Sequence, residues 1–138
     1  MRAIIQRVSE SSVTINDKIH SKINHGFLVL LGIEHHDTAE DADWLCQKIT
    51  QMRIFNDEHG KMNLNLEQIQ GEILVVSQFT LHAATAKGNR PSFIKAARPA
   101  IDRASSSMVL SATCLIFVAM IERRKFRGFG MKCRLCNR

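Results

Sequence analysis

Runs of β-branched and leucine residues divide the first eighty or so residues into short segments separated by polar turns. Apolar runs of this length, bounded by turn residues, are typical of strands. The strands predicted in this way cover residues 2–8, 12–15, 19–23, 27–33 and 72–81. Polar residues at 16–18 and a glycine-containing stretch at 24–26 supply the turns between the early strands. A short strand is also predicted at residues 53–55, before a polar turn at 56–60.

One amphipathic helix is predicted near residues 39–52. Thr38 offers a hydroxyl N-cap, and acidic residues follow it in the first turn, where the helix dipole favours negative charge. Four apolar side chains then fall on one helical face: Trp44, Leu45, Ile49 and Met52. Several strands joined by a packed helix predict an α+β fold in a single domain. We expect an antiparallel-rich mixed sheet, or a barrel-like core, with one or two packed helices.

The later part of the chain predicts two further helical segments. Pro91 and Pro99 bracket a short helical turn at residues 92–98, because proline restricts the residue before it. A C-terminal helix is predicted at residues 107–122, where basic residues follow an apolar run. The apolar stretch 108–121 is shorter than the roughly 18–20 residues that a membrane span needs, so we expect a buried helix there and no membrane partner.

The net charge of the chain is unevenly distributed. The formal net charge is +6, but residues 1–100 carry 11 basic and 11 acidic side chains, so the excess of 8 basic over 2 acidic lies in residues 101–138. Basic side chains favour nucleic acid, because contacts with phosphates release counterions. Since the first hundred residues are balanced, we expect RNA contacts from the basic loop at residues 85–93 rather than from the overall charge.

The cysteines and histidines form no strong metal or redox pattern. The four cysteines do not make a disulfide framework, and no apolar signal-peptide run begins the sequence, so a cytoplasmic chain with reduced thiols is predicted. Cys133 and Cys136 have a CxxC spacing, but no second cysteine pair accompanies them, and they lie in a basic tail. The adjacent His35 and His36 point in different directions. We therefore expect no metal and no cofactor.

The strongest functional signal is the polar end of the most apolar strand. The run at residues 72–76 leads directly into Ser-Gln-Phe-Thr-Leu at 77–81, and a basic, glycine-containing loop follows at 85–93. Polar side chains at the end of a buried strand are costly unless they are paired or used. Two interpretations remain open from the residues alone: these groups cap neighbouring backbone, or they act on a substrate.

These stretches resemble the D-aminoacyl-tRNA deacylase family, also called D-tyrosyl-tRNA deacylase. The resemblance is dense over residues 1–99, and the segments that carry it are 1–8, 62–64, 77–81 and 85–93. It implies one deacylase-like domain over residues 1–138, in which residues 100–138 are divergent or truncated and 128–137 faintly match the closing strand. The implied function is hydrolysis of the ester bond of D-aminoacyl-tRNA, a chiral proofreading step that releases free tRNA and the D-amino acid.

The resemblance implies that the 2′-hydroxyl of the tRNA assists the chemistry while Gln78 and Thr80 position the ester as catalytic residues. A covalent Thr80 intermediate is the less favoured alternative, because the nearest histidine, His82, is two residues away on the same predicted strand face. By the same alternation, Ser77 and Phe79 point the other way and are expected to pack.

The expected partner is the 3′ end of aminoacyl-tRNA, not DNA. The predicted substrate-binding residues are Ser77, Phe79, Arg90, Pro91, Ser92 and Phe93. The predicted tRNA contacts are Lys87 and Arg90. The resemblance also implies a homodimer whose active site lies at the subunit interface.

The family's selectivity filter is a Gly-Pro turn that projects from the partner subunit and excludes L-amino acids. Pro91 and Pro99 are the two prolines of this sequence, and neither has that setting, so poor turnover or poor discrimination between D and L substrates is expected. Two alternatives therefore stay open. One is a catalytically impaired member that binds tRNA or a partner, and the other is a membrane-associated or partner-associated protein that uses residues 108–121 and the basic tail.

Overall fold

The computed structural model describes residues 1–86, 88–97, 118–122 and 129–135. Within these ranges, a curled, half-barrel sheet of six strands carries one α-helix, and a two-stranded ribbon lies outside the sheet. In chain order, the elements are β1 (Arg2–Ile15), β2 (Lys18–Ile23), β3 (Gly26–Gly32), α1 (Ala39–Gln51), β4 (Phe55–Asn56), β5 (Met62–Leu64), β6 (Glu72–Ser77), a 3₁₀ turn (Phe79–His82), β7 (Val118–Glu122) and β8 (Phe129–Leu135). The predicted α+β class with an antiparallel-rich mixed sheet is confirmed.

The first strand is longer than predicted. Instead of separate strands at 2–8 and 12–15, the whole of β1 is continuous, because different strands pair with its two halves: β3 with residues 2–8, and β2 and β8 with the second half. The sheet order is β2-β1-β3-β6-β7, and β8 also pairs with β1. The predicted hairpin turn is confirmed, since Asn16 and Asp17 have φ angles of 48° and 61°, the positive values that a tight two-residue hairpin favours.

Two parallel strands form the centre of the sheet. β3 and β6 pair from Gly26 opposite Glu72 to Leu31 opposite Ser77. Both strands are apolar on both faces because the core lies on both sides of them. The core on one face includes Phe27, Val29, Leu31, Ile73 and Val75, and the core on the other face includes Leu28, Leu74, Val76, Val8 and Val13. The carboxyl ends of β3 and β6 therefore reach the same edge of the sheet.

Helix α1 begins at the predicted cap. The Thr38 hydroxyl accepts a hydrogen bond from the Asp41 backbone N–H (3.4 Å), and the Asp41 carboxylate accepts one from the Thr38 N–H (2.8 Å). The hydrogen bonds from the Thr38 backbone and then from its side chain lower the pKa of Asp41 below its ordinary value of 3.8. This reciprocal capping box explains why the helix begins where it does.

The predicted apolar face of α1 is confirmed at Leu45 and Ile49 but not at Trp44, and Met52 is the half-buried C-cap residue. Ala42 and Ile49 are buried and Leu45 packs against the core, but the Trp44 side chain is 63% exposed. Trp44 lies two residues beyond Ala42, roughly 200° around the helix, so its indole faces away from the sheet. The Lys48 ammonium lies 5.8 Å from the centroid of the Trp44 ring.

Two predicted elements differ from the structure, one a strand that is shorter than predicted and the other a helical turn that is not found in the described residues. The strand predicted at 72–81 ends at Ser77, and residues 79–82 form the 3₁₀ turn instead. The helical turn predicted at 92–98 is replaced by two isolated β-bridges, which join Ser92 to Ala84 and Ala96 to Glu34. These bridges satisfy backbone groups across the fold, so no local helix is needed in the described part of that segment.

The helix predicted at residues 107–122 is also wrong where the structure describes it. Val118–Glu122 is strand β7, which pairs in parallel with β6. The periodicity of a short apolar run does not distinguish a buried helix from a buried parallel strand. Here the pairing with β6 makes the segment a strand. The rest of that predicted helix lies outside the described residues. The closing strand faintly matched at 128–137 is confirmed as β8.

The described ranges contain neither a candidate membrane helix nor a candidate metal site. No helix among them is long and apolar enough to cross a membrane. Within the same ranges, no group of three His, Cys, Asp or Glu side chains is arranged as metal ligands would be.

Candidate functional site

The candidate site begins where β6 ends. The Gln78 backbone N–H donates to the Leu31 carbonyl (2.7 Å), which closes the parallel pairing with β3. The chain then turns, since the Leu81 N–H donates to the Gln78 carbonyl (3.2 Å) and the Ala83 N–H donates to the Thr80 carbonyl (3.1 Å). This 3₁₀ turn moves the polar residues off the plane of the sheet and onto its edge.

The turn brings the two predicted catalytic side chains together. The Gln78 side-chain Nε2 donates a hydrogen bond to the Thr80 hydroxyl oxygen. Thr80 is exposed and Gln78 is half-buried, so the pair is open to a ligand on one side. Strand alternation stops at Ser77, which is 8% exposed within β6. The prediction that Phe79 points opposite to Gln78 by alternation therefore does not apply.

The loop after the turn folds back onto it. Ala84 and Ser92 form an antiparallel bridge with N–H to carbonyl distances of 2.8 and 2.9 Å. The bridge places Phe93 beside Phe79, with ring centroids 5.2 Å apart and an interplanar angle of 73°. Of the predicted substrate-binding residues on the loop, Phe93 is thus brought against Phe79 in the turn, and Ser92 is paired with Ala84 just after it.

The tip and the far end of the loop differ in their contacts. Arg90 and Pro91 are exposed at the tip, and Lys87 lies outside the described residues. At the far end, the Ala97 N–H donates to the Ile33 carbonyl (2.8 Å). The loop is therefore anchored at both ends while its basic tip faces solvent.

His82 is a site residue that the sequence interpretation misplaced. Its side chain is fully buried, and its Nδ1 lies 2.8 Å from Glu34 Oε1. The 3₁₀ turn directs His82 inward and leaves Thr80 exposed, so the two do not share a face. The sequence feature connected with this placement is Gly32, whose backbone lies against the His82 ring in the folded chain.

This arrangement suits positioning better than nucleophilic catalysis. A nucleophilic hydroxyl needs a base within hydrogen-bond reach, but the Thr80 hydroxyl accepts from an amide, and His82 lies on the buried side of the turn. An exposed hydroxyl beside an amide can donate to and accept from a bound ester and its neighbouring hydroxyl. The phenyl pair next to them forms an apolar wall for a ring or an amino-acid side chain.

A family model described as D-Tyr-tRNA(Tyr) deacylase matches residues 4–138. The chain belongs to the D-Tyr-tRNA(Tyr) deacylase family. The resemblance drawn from the sequence is thereby confirmed, and the family match contains every residue of the site described above.

Curated members of the deacylase family are similar to this chain over nearly three quarters of its length. The D-aminoacyl-tRNA deacylase of Christiangramia forsetii is 59% identical over 101 residues, which cover 73% of this chain and 67% of the relative. That of Cytophaga hutchinsonii is 63% identical over 99 residues, or 72% of this chain and 66% of the relative. The chain thus spans about two thirds of the length of these curated relatives.

Two solved structures share the fold of this deacylase-family chain. A "c-Myc DNA Unwinding Element Binding Protein" superposes with a TM-score of 0.86 at 31% identity, covering 97% of this chain and 91% of that one. A probable eukaryotic D-amino acid tRNA deacylase superposes with a TM-score of 0.71 at 15% identity, covering 96% and 92%, and at that identity the likeness shows the fold alone.

Proposed function

We propose that this chain hydrolyses the ester bond of D-aminoacyl-tRNA and releases free tRNA and the D-amino acid. Family membership and relatives named D-aminoacyl-tRNA deacylase support this function. The single structural observation that carries it is the hydrogen bond between the Gln78 amide and the exposed Thr80 hydroxyl, beside the Phe79–Phe93 pair. Polar groups and an apolar wall then face the same ligand.

In this reaction, water adds to the acyl carbon, the bond from that carbon to the ribose oxygen breaks, and the ribose oxygen leaves as a hydroxyl group with a proton. Gln78 and Thr80 hold the ester and the neighbouring 2′-hydroxyl of the terminal ribose in place, and that hydroxyl assists the attack. Holding reacting groups in register supplies a large part of such a rate enhancement. Ser77 supports the turn from β6.

The loop supplies the contacts with the tRNA. Arg90 and Lys87 contact phosphates near the 3′ end, because cationic side chains on an exposed loop bind phosphates without reading sequence. Ser92 and Phe93, with Pro91, shape the wall next to Phe79. The bridge between Ala84 and Ser92 supports this assignment, since it carries the loop to the turn.

The positioning role of Thr80 is tested with two variants and one altered substrate. Thr80→Ser keeps the hydroxyl and should retain turnover of D-aminoacyl-tRNA within about threefold, whereas Thr80→Val should lose about a hundredfold. A substrate that carries 2′-deoxyadenosine at its end should turn over slowly with the unaltered chain. Trapping an acyl group on Thr80, or equal turnover of the 2′-deoxy substrate, would contradict the proposal and favour a covalent intermediate.

The same assay tests selectivity. The turnover of matched D- and L-aminoacyl-tRNAs measures the discrimination between D and L substrates, which the sequence predicts to be poor. The alternative of a family member that binds tRNA without turnover is not favoured, because the relatives are named as deacylases. Tight binding of D-aminoacyl-tRNA with no hydrolysis would revive that alternative, and competition by duplex DNA would contradict the expected preference for RNA.

We also propose that the chain acts as a cytoplasmic homodimer with the active site at the interface. The family resemblance supports this, and so do exposed apolar side chains on the first two strands, among them Ile4, 52% exposed, and Ile19, 66% exposed. Light scattering at micromolar concentration tests it. A monomer with full turnover would contradict the interfacial site.

A further inference from the structure

We propose that His82 is a positioning residue for the turn that carries Gln78 and Thr80, and that it acts through its buried contact with Glu34. This inference rests on the proposed function, because the turn is placed there in the hydrolytic site. It concerns a residue to which the proposed chemistry gives no role. Three sets of contacts carry it: those of the imidazole, those of Glu34, and those of the backbone of the turn.

The imidazole fills the space between the turn and the end of β3. The His82 side chain has no exposed surface, and its Nδ1 lies 2.8 Å from Glu34 Oε1, although neither ring nitrogen makes a hydrogen bond within the described part of the chain. A Cβ atom at Gly32 would lie 2.9 Å from His82 Nε2 and 3.1 Å from the Gln78 carbonyl oxygen. Only the bare backbone of a glycine lets the ring and the start of the turn rest there together.

Glu34 connects two consecutive residues of the turn to the rest of the fold. Its carboxylate contacts His82 directly, and the same oxygen lies 3.9 Å from Arg2 Nη2. The Arg2 Nη1 donates to the Leu81 carbonyl (3.0 Å). The Glu34 backbone also bridges to Ala96, three residues beyond the basic loop. One residue thus touches both the turn and the segment into which the loop leads.

The turn needs this support because its own hydrogen bonds are few. A single 3₁₀ turn has poorer hydrogen-bond geometry than an α-helix, and it contributes little stability by itself. A misplacement of about 1 Å in a catalytic group can cost about a hundredfold in rate. The turn that presents Thr80 is therefore held from beneath by His82.

The polarity of His82 separates this role from simple packing. A buried imidazole costs free energy unless its nitrogens are paired, so an apolar ring would fill the same space at less cost. The nitrogen that faces Glu34 is what an apolar ring would lack. The proposal therefore predicts that the Nδ1 contact, and not the volume of the ring, controls turnover.

The test compares variants that separate the volume of the ring from the polar contact of Nδ1 with Glu34. His82→Phe keeps a ring and removes both nitrogens, whereas His82→Asn keeps a donor at the position of Nδ1. We expect His82→Phe to lower kcat for D-aminoacyl-tRNA by about tenfold with KM changed less than about threefold, and His82→Asn to restore kcat to within about threefold of the unaltered chain. His59→Phe, on an exposed turn, is the matched control.

A kcat of His82→Phe within about twofold of the unaltered chain would overturn the proposal, and so would an equal loss in His82→Asn. Glu34→Gln provides a second variant at a partly exposed position, where folding is less at risk. Like His82→Phe, it should lower kcat, and it should shift the ¹⁵N resonance of His82 Nδ1. An unshifted resonance would contradict the contact itself.

A readout without substrate separates this inference from the proposed function. The amide hydrogens of Leu81 and Ala83 close the turn, so their exchange with solvent should be about tenfold faster in His82→Phe and unchanged in His59→Phe. If the unaltered chain does not hydrolyse D-aminoacyl-tRNA, the proposed function fails, and exchange alone judges the role of His82. Equal exchange in the unaltered chain and His82→Phe would overturn that role.

Discussion

Phe79 and Phe93 meet edge to face, with ring centroids 5.2 Å apart, and this contact joins the turn after β6 to the basic loop. Edge-to-face pairs are favourable because the positive edge of one ring faces the negative face of the other. The backbone bridge of Ser92 to Ala84 sets the approach of Phe93. The wall of the candidate site is therefore built by two segments that meet only in the folded chain.

The aromatic contact should be measurable in a double-mutant cycle. Phe79→Leu and Phe93→Leu each keep most of the apolar volume and remove one ring. We expect a coupling free energy of about 1 kcal/mol between them, from urea unfolding of the two single variants and the double variant. A cycle of Phe79→Leu with Trp44→Leu, whose ring is exposed on α1, is the control and should be additive. Additivity of the Phe79 and Phe93 changes would contradict an energetic link between turn and loop.

The exposed tip of the loop should contribute to tRNA affinity through charge. Arg90→Ala should weaken tRNA binding and reduce the slope of log affinity against log salt by about one, because one phosphate contact is lost. Lys18→Ala makes the same charge change at the β1–β2 hairpin, the opposite end of β1 from Arg2 and the turn. Filter binding at two salt concentrations measures the affinity and the salt slope of both variants. Equal salt slopes for Arg90→Ala and the unaltered chain would remove Arg90 from the contact surface.

The close approach of β3 to β6 should make Gly26 intolerant of a side chain. A Cβ atom there would lie 1.9 Å from the Glu72 carbonyl oxygen, so Gly26→Ala forces the two central strands apart. We expect a loss of about 3 kcal/mol in the free energy of unfolding. Gly60→Ala is the control: Gly60 has φ of 74° with no atom near its Cβ position, so strain alone should cost about 1 kcal/mol. A larger loss of stability in Gly60→Ala than in Gly26→Ala, measured by chemical denaturation, would contradict this packing.

The cap of α1 should make part of the stability depend on pH. The pKa of Asp41 is lowered in the folded state, so its carboxylate contributes stability above its ordinary pKa of 3.8, and this contribution is lost as pH falls through the lower folded value. Asp41→Asn should therefore be less stable than the unaltered chain near neutral pH, and the difference should shrink below about pH 4. Denaturation midpoints at several pH values measure this, with Asp43→Asn on the same helix as the control. A difference that grows on acidification would contradict the assigned sign.

Much of the fold is determined by local signals in the sequence. The apolar run of β3, the positive φ angles that asparagine and aspartate tolerate at residues 16 and 17, and the Thr38 cap each act within a few residues. Such signals predict the first three strands and α1. The polar end of β6, with Gln78 and Thr80, is visible in the same way because polar groups after a buried run stand out.

The orientation of the site residues depends on contacts that are distant in the chain. Nothing local ends the strand at Ser77, because Phe79 and Thr80 are residues that strands favour. The chain turns there while Gln78 bonds to Leu31, and His82 packs on Gly32. Strand alternation therefore failed for this segment.

Tertiary pairing also decided between helix and strand near the C-terminal end. The apolar run that contains Val118–Glu122 has no clear period, and a free edge of β6 selects the strand by offering backbone partners. The sequence alone thus identifies the polar residues of the site and most of the sheet. The tertiary structure decides which way those residues face, because the hydrogen bonds and packing that turn the chain come from β3 and the Glu34 segment, more than forty residues earlier.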